Sequence, residues 1–177
     1  MSIYLIYLNL LRILHIFGGV FWVGGAIMHI AFIEPTAKAT APEGHKFMQY
    51  LVGRGRFPLF MNAVSLLTVL SGALLYWHTS SGLQLSWMKF GPGLGYTIGS
   101  VVGIAVYIFG MTMIKPRADR LGGLGREIAA AGGVPNPAQV AQLEKLDQEL
   151  TLTGRVDFVL LAISTLAMAT ARYWLIF

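Results

Sequence analysis

The chain contains no cysteine among its 177 residues, and this absence removes several classes of site. Disulfide bonds, zinc sites built on thiolates and covalent haem attachment through Cys-x-x-Cys-His are all excluded. A bound metal would have to take its ligands from histidine, methionine, lysine, tyrosine or carboxylates. The sequence also lacks a Walker loop, a nucleophile elbow and a His-Glu-x-x-His motif. Nothing in it therefore indicates nucleotide or hydrolase chemistry.

Charged residues are also scarce, at 12% of the chain, whereas hydrophobic residues make up 55%. The mean hydropathy of +0.64 is typical of integral membrane proteins. A helix needs roughly 20 apolar residues to cross about 30 Å of hydrocarbon. Four segments are long enough, near residues 10–33, 57–78, 93–115 and 156–176. The sequence therefore predicts a single all-α domain over residues 1–177, an integral membrane four-helix bundle.

The first apolar segment is expected to remain as a helix and not to be cleaved as a signal peptide. It is longer than a signal-peptide core, follows no basic residues and contains titratable side chains. Between the third and fourth segments, a charged stretch carries Gly-Gly and Pro-Asn-Pro breaks. Asn136 and Pro137 have the form of a helix N-cap and first helical residue. We expect a helical extension here that continues into the fourth segment.

Basic residues are distributed unevenly between the two predicted sides of the membrane. Ten Lys and Arg residues fall on the side of the 1–2 and 3–4 connections, and three fall on the other. The positive-inside rule makes the first side cytoplasmic and places both termini outside. The expected location is the plasma (inner) membrane of a prokaryote, with the 3–4 extension in the cytoplasm. This bias explains the pI near 9.7 without a nucleic-acid partner.

The first predicted span carries two histidines, one on each side of a tryptophan. Residues seven apart share a helix face, so His15, Trp22 and His29 line up, with small residues such as Gly19 between them. The fourteen residues from one histidine to the other correspond to about 21 Å. One histidine is therefore expected near each membrane surface. Ionisable groups inside a membrane are costly and are typical of functional sites.

The four histidines form two predicted pairs. His78 ends the second span on the outer side with His15, whereas His45 lies on the inner side with His29. Axial imidazoles from facing helices hold b-type haem in helical bundles, so we expect haem b, either one molecule or two. The alternative is that the single histidines have packing or headgroup-level roles. The candidate cofactor-binding residues, including arginines that could pair with haem propionates, are His15, Gly19, Trp22, His29, His45, His78, Arg12, Arg54 and Arg56.

The segment HIFGGVFWVGG, residues 15–25, resembles the first helix of a known superfamily of small four-helix membrane proteins. These are the HemJ-type protoporphyrinogen IX oxidases and the CopD-like copper-resistance membrane domains. The later segments RGRFPLF, SWMKF and YIFGMTMIKPRADRL are similar as well. The resemblance implies haem b binding, a functional role for His15 and a catalytic role for Lys89. The alternative for Lys89 is a snorkelling anchor beside Trp87.

The leading functional prediction is a membrane-embedded b-type haem redox protein. It would transfer electrons or oxidise a membrane-soluble substrate, a quinol or a porphyrinogen. Its expected partners are lipid, a quinone or porphyrin, and other redox membrane subunits or an outer-side electron carrier. One alternative is CopD-like copper transport, for which Met111 and Met113 offer thioether ligands. The other is a structural subunit of a respiratory membrane complex, in which glycines such as Gly99 only pack helices.

Overall fold

The chain folds into helices throughout the part that the structure describes. A computed structural model describes residues 3–174, with the backbone alone for Arg54. Four helical stretches are long and apolar enough to cross a membrane: Ile3–Ala39, Phe57–Thr79, Gly91–Ala130 and Pro137–Tyr173. They contain the first three predicted spans and most of the fourth, so the prediction of an all-α chain with four helices long and apolar enough to span a membrane is confirmed. The end of the fourth predicted span, at residues 175–176, lies outside the described residues.

The described residues form eight α-helices and three π-helical turns. The α-helices are α1 (Ile3–Met28), α2 (Glu34–Ala39), α3 (Glu43–Met48), α4 (Phe57–Thr79), α5 (Leu85–Lys89), α6 (Gly91–Phe109), α7 (Lys115–Ala130) and α8 (Pro137–Thr170). The π-helical turns are π1 (His29–Ile33), π2 (Gln49–Arg54) and π3 (Gly110–Ile114). A 3₁₀ turn, Ala171–Tyr173, follows α8.

Two of the π-helical turns allow a spanning helix to continue beyond a proline. Proline lacks an N–H, and its ring collides with the carbonyl four residues earlier in an α-helix. Here the N–H of Glu34 bonds the carbonyl of His29, and the N–H of Lys115 bonds that of Gly110. The wider turn accommodates the proline that follows each of these N–H groups. The helices therefore continue past the predicted span ends at 33 and 115, as far as Ala39 and Ala130.

The spanning helices associate as two closely packed antiparallel pairs, α1 with α4 and α6 with α8. Glycines allow the close approach in both pairs. A Cβ atom on Gly18 would lie 2.5 Å from Oγ1 of Thr68, and one on Gly95 would lie 2.8 Å from the Cα atom of Ala171. The predicted packing role of the glycines in the third span is confirmed at Gly95. Small residues are the usual means of close helix packing in membranes.

A small hydrophobic core joins the two pairs at the middle of the bundle. It consists of Trp22, Ala26, Val64, Val106 and Leu161, one or two from each spanning helix. Outside this core, many large apolar side chains are exposed. Such a surface suits contact with lipid, where apolar side chains face outward.

The predicted helical extension is confirmed as a hairpin of α7 and the first half of α8. Leu124, Ile128 and Leu146 form its own small core. The Asn136 side chain accepts the N–H of Gln139 at 2.9 Å, and the Gln139 side chain accepts the N–H of Asn136 at 3.0 Å. This capping box starts α8 where the sequence predicted it. We refer to the end of the bundle with α2, α3 and this hairpin as the loop end, and to the opposite end as the terminal end.

Candidate functional site

His15 lies on the face of α1 that is turned toward the bundle. The buried residues of α1 are Leu11, Gly18, Trp22 and Ala26, and His15 falls in the same stripe. Its Nδ1 atom is 2.8 Å from the carbonyl oxygen of Thr68 in α4. Because a carbonyl can only accept, Nδ1 donates the proton, and Nε2 keeps a free lone pair. Among residues 3–174, Nε2 has no hydrogen-bond partner.

A glycine in α4 makes the space in which the His15 ring lies. A Cβ atom on Gly72 would lie 2.7 Å from Cε1 of His15 and 2.8 Å from Nδ1. The hydroxyl groups nearby are occupied within their own helix, since Thr68 donates to the carbonyl of Val64 and Ser71 donates to that of Leu67. The His15 ring is therefore held by one carbonyl and one glycine. Sequence reasoning missed both partners, because neither residue type indicates a contact with another helix.

His78 lies well away from His15 along the bundle. Its ring packs edge-on against Tyr4 and Tyr7, with ring centroids 5.7 and 5.5 Å apart. Tyr7 is eight residues from His15 on α1, which corresponds to about 12 Å of helix. The structure therefore does not bring the predicted outer pair, His15 and His78, to one position.

The predicted inner pair is also separated. His29 begins π1, and its ring stacks on Phe57 with centroids 5.8 Å apart at 22°. Its Nδ1 atom is buried and has no hydrogen-bond partner in the described part of the chain. His45 is exposed on α3, a helix that packs against α2 and π2. The structure thus places His29 inside the bundle and His45 on its surface.

The remaining predicted residues are spread over the core and the surface. Trp22 is 8% exposed and belongs to the central core. Gly19 is loosely packed, since a Cβ atom there would meet only Cγ2 of Thr68, at 3.8 Å. Arg12 and Arg56 are exposed, as is Lys89 on α5 at the terminal end. The side chain of Arg54 lies outside the described residues.

No cluster of three or more metal-ligating His, Cys, Asp or Glu residues occurs within the described chain. A metal or haem would therefore depend on fewer than three of these ligands, or on other residue types such as methionine or tyrosine. His15 is the histidine whose geometry suits this, because a metal-binding imidazole commonly donates its second N–H to a carbonyl or carboxylate.

These observations define an all-helical chain, over the described residues, with four helices long and apolar enough to cross a membrane and one imidazole held in the α1–α4 pair. Comparisons with protein-family models, with curated proteins and with solved structures find no match for this chain. The likeness of residues 15–25 to the HemJ-type and CopD-like superfamily therefore stays a prediction from those motifs.

Proposed function

We propose that this protein is a membrane-embedded b-type haem redox protein and that His15 binds the haem iron through Nε2. The hydrogen bond from Nδ1 of His15 to the carbonyl of Thr68 is the observation that carries the proposal. It fixes the tautomer and leaves Nε2 free, which is the arrangement of imidazole ligands in metal sites. Bound haem would supply one-electron chemistry.

The surrounding residues of this chain have positioning roles in the proposal. The Thr68 carbonyl orients the imidazole, and its partial negative charge increases the basicity of Nε2. Gly72 leaves the space that the ring needs. Apolar side chains, including buried Leu11, exclude water from this part of the α1–α4 pair. Together they hold the ring in a single orientation.

A single histidine ligand favours substrate oxidation over simple electron transfer. Because the His78 ring packs against Tyr7, which lies about 12 Å along α1 from His15, His78 does not enter the proposed ligand set. Oxidation of a membrane-soluble substrate, a quinol or a porphyrinogen, is the reaction class that we propose. The exposed amine of Lys89 at the terminal end suits a carboxylate on such a substrate.

The test is the visible spectrum of the detergent-purified chain, oxidised and then reduced with dithionite, with haem quantified against protein. We expect a sharp reduced α-band at one haem per chain. His15→Ala should remove the band, whereas His78→Ala should retain it. An unchanged band in folded His15→Ala contradicts the proposal. Bound copper without a Soret band would instead favour the copper-transport alternative.

A further inference from the structure

Several polar side chains lie inside the loop end of the bundle and have no role in the haem proposal. His29, Asn62, Tyr107 and Asp157 come from α1–π1, α4, α6 and α8, and each is within four residues of the central core in sequence. Within the described chain, Nδ1 of His29 is buried without a hydrogen-bond partner, and the side chains of Asn62, Tyr107 and Asp157 are partly buried. We refer to these four residues as the inner polar layer.

Asp157 is the acidic member of this layer and faces the bundle. It lies four residues before buried Leu161 and seven before buried Ser164 on α8, so it belongs to the inward-facing stripe of that helix. A Cβ atom on Gly110 would lie 3.8 Å from Oδ1 of Asp157. The carboxyl group therefore approaches the backbone of π3.

Among the described residues, no basic side chain on the surrounding elements forms an ion pair with the carboxyl group of Asp157. Arg155, two residues earlier on α8, is exposed and forms no ion pair with a described residue. Three basic residues on the neighbouring elements bond other carboxylates, in the pairs Lys38–Glu34, Lys115–Asp119 and Arg117–Glu149. His29 is the titratable group that π1 contributes. An ionised carboxylate without a partner is costly inside a membrane, and protonation removes that charge.

A second polar cluster connects the layer with water at the loop end. Oε1 of Glu34 accepts Lys38 Nζ at 2.7 Å and Thr151 Oγ1 at 2.6 Å. Nζ of Lys38 also lies 2.8 Å from Thr151 Oγ1 and 3.3 Å from Oδ2 of Asp147. We refer to Glu34, Lys38, Asp147 and Thr151 as the entry cluster.

Exposure decreases along the entry cluster toward the inside of the bundle. The exposed fraction of the side chain is 49% for Asp147, 41% for Lys38 and 13% for Glu34. The backbone N–H of Glu34 bonds the carbonyl of His29, whose Nδ1 atom is buried. Polar groups thus continue from the surface to the inner polar layer.

We propose that the loop end contains a proton inlet, in which the entry cluster exchanges protons with water and Asp157 holds the proton within the membrane. In the loading step, a carboxylate oxygen of Asp157 takes up a proton that originates from water at the loop end, and a neutral carboxyl group forms. No electron is transferred. The inlet does not depend on haem binding, so either proposal stands if the other fails.

Carbodiimide labelling of the wild-type chain in liposomes tests the proposal without any substitution. Dicyclohexylcarbodiimide reacts with protonated carboxyl groups in apolar surroundings, and peptide mass spectrometry identifies the labelled residue. We expect labelling at Asp157 that falls as the pH is raised. Labelling that omits Asp157 at every pH would overturn the proposal.

Infrared difference spectroscopy of the full chain during a pH titration provides a second test. We expect a protonated-carboxyl band that is lost in Asp157→Asn and retained in Asp147→Asn, the matched change at the exposed end of the entry cluster. An unchanged band in Asp157→Asn contradicts the proposal. If that variant does not fold, Asp157→Glu keeps a carboxyl group and should shift the band, whereas a band at the wild-type position counts against Asp157.

The entry cluster is tested by the rate at which this band forms after a pH jump. Glu34→Gln should slow the rise of the band, because a carboxylate is removed from the path. Glu43→Gln changes an exposed carboxylate on α3 and should leave the rate at the wild-type value. Equal rates in both variants would exclude the entry cluster from the inlet.

Discussion

A glycine in α4 determines where the ring of His15 lies. Gly72 has no β-carbon, so the His15 ring lies against the backbone of α4 while Nδ1 reaches the Thr68 carbonyl. Elsewhere on a helix, glycine is less favourable than alanine by about 1 kcal/mol. At this position the lost helix propensity is offset by the space for the ring.

Gly72→Ala is therefore expected to destabilise the chain, although alanine favours helix formation. The new methyl group would force the ring of His15 to move, at a cost of about 1–3 kcal/mol, and the proposed haem occupancy should fall with it. Gly24→Ala is the matched control, because nothing lies within 4 Å of a Cβ atom there. Unfolding in mixed detergent measures both changes, and equal stability of the two variants would contradict the role given to Gly72.

Helical periodicity was sufficient to place His15 and His29 on one face of the first span, but not to identify what they touch. Thr68 and Gly72 contact His15 because of the antiparallel register between α1 and α4. That register depends on the connection between the two helices and on packing such as Gly25 against Met61. The expected histidine pairs failed to meet for the same reason. A pattern within one helix contains no information about its offset from the next.

At the level of the helix, the sequence predicted the starts of the second span and of α8 closely, whereas the first span begins at Ile3 and not near residue 10. The second span begins at residue 57 as expected, and α8 begins at Pro137 after the Asn136 cap. Each of these two starts follows a local signal within a short stretch of sequence. The continuation of two spanning helices through Glu34-Pro35 and Lys115-Pro116 depends on π-helical turns. These turns have no periodic signature, so the sequence did not reveal them.

Close packing between α6 and α8 yields a prediction for the third span. Gly95→Val would put its side chain against the backbone of Ala171, so the helices would have to separate, at about 1–3 kcal/mol. Ala105→Val adds a similar volume on the exposed side of α6 and should be nearly neutral. Detergent unfolding of the two variants provides the comparison. A neutral Gly95→Val would show that α6 and α8 are not in close contact there.

The whole molecule is two helix pairs joined by a small core, with apolar side chains exposed around it. The predicted orientation, termini outside and hairpin in the cytoplasm, rests on the ten-to-three distribution of basic residues. Because the chain has no cysteine, any single cysteine added to it is a unique label. Gln84, in the loop before α5, and Val134, at the hairpin tip, are both exposed and lie at opposite ends of the bundle.

We expect a membrane-impermeant maleimide to label Gln84→Cys in intact cells. Val134→Cys should react only after the membrane is permeabilised, since the hairpin tip is predicted to be cytoplasmic. The unsubstituted chain is the control for background labelling. The opposite pattern would invert the orientation and would place the proton inlet on the outer side.

The continuous helix α8 has a mechanical consequence. Its 34 residues form a rod of about 51 Å, which begins at the hairpin tip and ends beside the start of α6. Asp157 lies between these ends. A protein or lipid that tilted the hairpin would therefore also move the second half of α8. The spacing around Asp157 and Gly110 would then change. Movement of the hairpin would thus be transmitted along α8 to the region around Asp157.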